Sequence, residues 1–156
     1  MAVRDVENAE SHYQGFSRVL VPTDFSDASQ KAIDFGIRFA NFLKADFELI
    51  HVVDLMAVQD MQETYPASFN VAAEPSKINV DPVLEALTKD KQFVGELTWA
   101  TRVGHPPVEI VRYAEEKKAD FIVMGTHGRK GWERVLMGSV LAGVLARSKI
   151  PVISIH

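Results

Sequence analysis

The sequence predicts an α/β protein built on an open five-stranded parallel sheet with helices on both faces. Three observations carry this. Short apolar runs rich in β-branched residues recur along the chain. Segments of helical apolar spacing separate them, and alternation of this kind belongs to parallel sheets covered on both faces. The 156 residues show no internal repeat, low-complexity tract or composition shift, so they fit one domain with a real core.

The elements follow in order. "RVLVP", Arg18 to Pro22, is a buried strand closed by proline. "TDFSDAS" is rich in helix N-cap residues, and apolar positions Ile33, Gly36, Ile37, Ala40 and Leu43 then mark a helix. "DFELIHVVD", Asp46 to Asp54, is the second strand. Leu55 to Val80 has weak periodicity and reads as a long loop, either a lid or partner surface or a tolerated insertion. "DPVLEALTKDKQF" opens a helix with Asp81 as N-cap and Pro82 at its first position. "ELTWATRV" is the third strand, "GHPPVEIVRYAEEKKA" a loop and helix, and "DFIVM" the fourth strand. "SVLAGVLARS" is a helix and "IPVISIH" the fifth strand. In such sheets ligands bind beyond the carboxyl ends of the strands, where strand order reverses. The loops after strands one to four are therefore the ones to inspect. Lys117 and Lys118 are expected to favour the C-terminal end of their helix dipole.

Composition narrows the function. A net charge of −4 argues against a general nucleic-acid binder, which needs a basic face. No cysteine is present, which removes disulfides, zinc–thiolate sites and thiol nucleophiles. No secretory signal or membrane span is legible, so no membrane partner is expected and the cytoplasm is the expected compartment. The five histidines show no i,i+4 pair, so no metal site is expected.

The chemistry concentrates in "MGTHGRKGWERVLMGS", Met124 to Ser139. Gly125, at a strand end, lets backbone approach a ligand closely. Gly128 permits positive φ, so that successive N–H groups converge on an anion. Gly138 and Ser139 open a helix with free N–H groups and a hydroxyl. Arg129 and Lys130 add positive charge. Together they describe a polyphosphate cradle. Strand-to-helix loops use glycine for other reasons too, but the long G-x2-G-x9-G-S spacing weighs against that alternative. No GxxxxGK[ST] or GxGxxG occurs, which disfavours two common nucleotide-binding classes.

That spacing after an apolar strand resembles the ATP-binding signature of the universal stress protein family. "VLVPTDFSDAS", "LIHVVD", "VGHPPVEIVRYAEEKKADFIVMGTHG" and "RSKIPVISI" extend the likeness over residues 17 to 156, with Leu55–Val80 least alike. The resemblance implies a single Rossmann-like, adenine nucleotide alpha hydrolase-like domain over 17–156, preceded by a loosely ordered extension over 1–16. It implies ATP as ligand, with Mg2+ bridging the phosphates. Pro22, Thr23 and Asp24 would touch adenosine, with capping of the first helix as the other role for Asp24. Val52 would line the adenine site. Met124 and Gly125 would border ribose and phosphates. Gly128, Arg129, Gly138, Ser139 and Val140 would hold the phosphates, and Gly104 would lie near the same cleft. His127, between two glycines, reads either as a residue within reach of a phosphate or as a solvated loop histidine. The implied function is a nucleotide-dependent stress or regulatory protein acting as a homodimer, paired through the apolar closing strand Val152 to Ile155. A slow ATPase or phosphotransferase using the same site is the alternative, although no dedicated catalytic set is visible.

Overall fold

A computed structural model describes residues 15–54, 56, 81–126 and 138–156. Five strands and four helices are seen among them. The strands are β1 (Arg18–Thr23), β2 (Asp46–Asp54), β3 (Leu97–Gly104), β4 (Phe121–Gly125) and β5 (Val152–Ile155). The helices are α1 (Asp27–Leu43), α2 (Asp81–Thr88), α3 (Pro106–Glu116) and α4 (Ser139–Leu145). All strand pairs are parallel, in the order β3-β2-β1-β4-β5. The expected architecture is the one observed. The expected long loop over Leu55–Val80 and residues 1–14 of the expected extension lie outside the described residues, apart from Met56. Phe16, within that extension, packs edge-on against Phe121 at 4.7 Å between ring centres.

Alternation along the strands splits the core into two layers. Val19, Val21, Phe47, Leu49 and Val123 pack with Ala32, Ile33, Ile37 and Ala40 of α1 and Leu84 of α2. Leu20, Ile50, Ile122 and Met124 pack with Ile110, Val111 and Ala114 of α3 and Leu141 and Val144 of α4. Each fully buried aliphatic side chain contributes about 1.5–3 kcal/mol, so both helix layers are held mainly by apolar burial.

Polar contacts fix the amino-terminal edge. Asp120 Oδ2 accepts from Ser17 N–H (2.6 Å) and Arg18 N–H (2.9 Å), which seats the start of β1 beside β4. Glu48, buried on the α3 side of β2, accepts from the Tyr113 hydroxyl and pairs with Lys117 (3.2 Å) and Arg18 (3.6 Å). A buried carboxylate needs such partners. Burial and the neighbouring Glu48 push the Tyr113 hydroxyl well above its ordinary range, so at neutral pH it remains a donor. Lys117, at the C-cap of α3 where it was expected, also pairs with Glu48.

Two helices are shorter than their sequence pattern. The pattern carries α2 to Phe93, but it ends at Thr88, because Asn41 of α1 captures the Gln92 carbonyl and the Val94 N–H (2.8 Å each). The pattern carries α4 to Ser148, but it ends at Leu145. There Ser148 Oγ bonds the Ile150 backbone, and Pro151 follows.

Candidate functional site

The strand order reverses between β1 and β4. Chain leaving β1 enters α1 on one face, and α4, which follows β4 in sequence, packs on the other. The carboxyl ends of these neighbouring strands therefore border a crevice, where open α/β sheets bind ligands.

Its first wall is the turn Pro22–Thr23–Asp24. Thr23 Oγ1 accepts from Phe25 N–H (3.1 Å) and meets Ser29 Oγ (3.0 Å). Ser29 Oγ donates to the Ser26 carbonyl (2.9 Å), so the Thr23 hydroxyl is the donor to Ser29. Asp24 Oδ1 accepts from both the N–H (3.1 Å) and the hydroxyl of Ser26. Ser26 is the N-cap of α1 and accepts from Ser29 N–H, so Asp24 braces the cap without occupying it. Phe25 adopts φ 65°, a left-handed conformation that costs a non-glycine residue on the order of 1–2 kcal/mol.

The second wall is Met124–Gly125–Thr126. The space a Cβ would take at Gly125 is filled by the Ala28 carbonyl, 2.5 Å away, so packing of the first turn of α1 requires glycine there. Thr126 is 3% exposed and ties three elements together. Its N–H donates to the Ile155 carbonyl (2.9 Å), its carbonyl accepts from Gly138 N–H (2.7 Å), and its hydroxyl meets His156 Nδ1 (3.3 Å). The two ends of the glycine-rich stretch thus meet at the crevice. Because Gly138 N–H is spent on Thr126, the donors remaining at that end are the Ser139 hydroxyl and the backbone beyond Gly138.

Val52 and Val140, both half-buried, join Met124 and Ala100 in the apolar layer on the α3–α4 side, and Pro22 alternates onto that side. Pro22, Val52, Met124 and Val140 therefore form one apolar wall drawn from three strands and a helix. Gly104 stands two strands from β1, opposite Asp54. Its φ of 154° and the Glu109 side chain, 2.8 Å from where a Cβ would sit, explain the glycine locally. His127, Gly128 and Arg129 lie outside the described residues. Among the described residues no group of three or more histidine and acidic side chains could hold a metal ion, and no helix is long and apolar enough to cross a membrane.

Two positions in this frame carried no motif in the sequence. Thr126 was hidden between two glycines, and His51 reads as one more strand residue. His51 Nδ1 lies 2.8 Å from the Thr23 carbonyl. The parallel register Thr23↔His51 is the only signal that could have placed it there.

The model of the universal stress protein family matches residues 15–156. The chain belongs to the universal stress protein family. The universal stress protein MJ0531 of Methanocaldococcus jannaschii is 35% identical over 154 residues, covering 95% of this chain and 85% of that protein. Among solved structures, the hypothetical protein MJ0577 of the same organism superposes with a TM-score of 0.72 at 29% identity, over 90% of this chain and 95% of that one. A universal stress protein in complex with cAMP superposes with a TM-score of 0.63 at 25% identity, over 91% and 98% of the two chains.

The geometry of this universal stress protein gives a direct test at the crevice floor. Gly125→Ala drives a methyl group into backbone and should lower unfolding stability by about 1–3 kcal/mol in urea denaturation. Unchanged stability would show that α1 is not seated on Gly125 as described.

Proposed function

We propose that the protein binds an adenine nucleotide, ATP with Mg2+ bridging its phosphates, in the β1–β4 crevice. In this reading it acts as a nucleotide-dependent regulatory protein of the stress-response class, in the cytoplasm, through a single domain over residues 17–156. The observation that carries the reading is the convergence at Thr126. The Gly138 N–H bond brings both ends of the glycine motif to the mouth of a crevice already lined by Pro22–Asp24, Val52 and Met124. A related universal stress protein in complex with cAMP supports an adenine nucleotide as the ligand class.

The residues present suit such a ligand. The apolar wall of Val52 and Val140 fits a base, the Pro22–Asp24 turn fits an adenosine, and the exposed Ser139 hydroxyl is a donor of the kind phosphates take. Met124 and Gly125 border the ribose, Gly104 flanks the cleft, and His127, Gly128 and Arg129 complete the phosphate side with Gly138, Ser139 and Val140. ATP supplies a charged polyphosphate whose binding favours one arrangement of these loops.

Protein purified natively and then denatured should release adenine nucleotide, and added ATP should raise the melting temperature without measurable phosphate release. Gly138→Val should abolish that shift while the far-ultraviolet circular dichroism stays unchanged. An intact shift in Gly138→Val would move the site elsewhere, and turnover abolished by Asp24→Ala would favour a hydrolytic enzyme.

The homodimer reading rests on β5, an edge strand bearing half-buried Val152, Ile153 and Ile155. An uncovered apolar edge invites pairing with a second copy. Light scattering should give twice the chain mass. A monomer at every concentration would overturn this.

A further inference from the structure

We infer that His51 is a positioning residue for the Pro22–Asp24 turn, bracing it from behind so that it meets the ligand in one orientation. This rests on the nucleotide reading for its consequence, but its geometry stands independently.

Three observations converge on His51. First, β1 leaves the sheet after Thr23 while β2 runs on to Asp54, and His51 lies opposite Thr23 in the register. Where the chain departs, His51 Nδ1 lies 2.8 Å from the Thr23 carbonyl. A carbonyl only accepts, so Nδ1 carries the proton, and it does so in both the neutral and the protonated ring. Second, the imidazole lies against the Phe25 ring, 4.4 Å between centres at an interplanar angle of 33°. Third, Phe25 holds φ 65°, a conformation that L residues adopt rarely and keep only where the surroundings impose it. His51 thus grips the turn at both ends of Asp24, by the carbonyl before it and the ring after it.

The neighbouring residue shows why this position matters. Side chains alternate along a strand, so His51 and Val52 point to opposite faces. Val52 joins the apolar wall of the crevice, and His51 stands on the α1 side behind the turn. The dipeptide His51–Val52 shapes the site from both faces of the sheet. The Thr23 and Ser29 hydroxyls and Asp24 hold the turn from within the turn and α1. His51 adds a side-chain contact from the next strand, beside the β1–β2 pairing that ends at Thr23.

The test uses the full-length protein. His51→Phe keeps a ring against Phe25 and removes the donor, whereas His51→Asn restores an N–H at similar reach. Amide hydrogen exchange at Phe25 and Ser26 in nucleotide-free protein should speed up in His51→Phe and return toward wild type in His51→Asn. ATP with Mg2+, titrated calorimetrically, should bind about tenfold more weakly to His51→Phe, the size of one lost hydrogen bond, with most affinity recovered in His51→Asn. Equal loss in both variants would mean a merely structural role and would overturn the inference. So would unchanged exchange in His51→Phe, whatever ATP does. If wild-type protein binds no adenine nucleotide yet exchange responds as expected, the nucleotide reading fails and the bracing role stands.

Discussion

A single backbone hydrogen bond, from Gly138 N–H to the Thr126 carbonyl at 2.7 Å, decides where the two ends of the glycine-rich stretch lie. Gly138 opens α4, whose Leu141 and Val144 pack beside Met124 in the core, and the hydrogen bond joins that helix start to the end of β4. Thr126 also accepts responsibility for the neighbouring strand, since its N–H bonds the Ile155 carbonyl at the end of β5. A buried residue with both backbone groups committed to different elements is costly to displace, because each freed group would be left unsatisfied. The crevice is therefore built around a fixed corner.

The two ends of the sheet do different work. At the amino end, Glu48, Tyr113, Lys117, Arg18 and Asp120 spend their polar groups on one another and on the starts of β1 and β2. Removing both Lys117 and Arg18 would leave the buried Glu48 carboxylate without a compensating charge, so that end specifies how helices and strands assemble. At the carboxyl end, polar groups hold turns: Thr23, Asp24, Ser26 and Ser29 on one side and Thr126 on the other. A parallel sheet imposes this division, because every crossover returns the chain to the amino end and leaves the loops after the strands to shape the site.

The architecture was legible because burial on both faces writes itself as uninterrupted apolar runs. β2 has the bounds that its pattern predicts, Asp46–Asp54. Element ends set by tertiary contacts were not legible. α2 stops early because Asn41, far away in sequence, takes the backbone of Gln92 and Val94. The partner of Lys117 was equally hidden, since a carboxylate buried on another strand leaves no mark in "AEEKKAD". At the site, Pro22–Asp24, Val52, Met124 and Val140 were placed by family resemblance; the fold packs Val52, Met124 and Val140 in one apolar layer and sets Pro22–Asp24 at the end of the neighbouring strand β1. Gly125 was assigned to ligand approach; the Ala28 carbonyl, 2.5 Å from where a Cβ would sit, is a second reason for glycine that the sequence did not show. Thr126 and His51 escaped because their roles depend on strand order and register, which residue types alone do not state.

The most direct test of the site is a map of backbone amide shifts in isotopically labelled protein titrated with ATP and Mg2+. The account predicts that the largest changes fall on Thr23, Asp24, Val52, Thr126 and Ser139. Arg18, Asp46, Phe121 and Val152, at the opposite end of the sheet, should stay still. Saturable shifts centred on that amino end, or no saturable shifts at millimolar ATP, would contradict it.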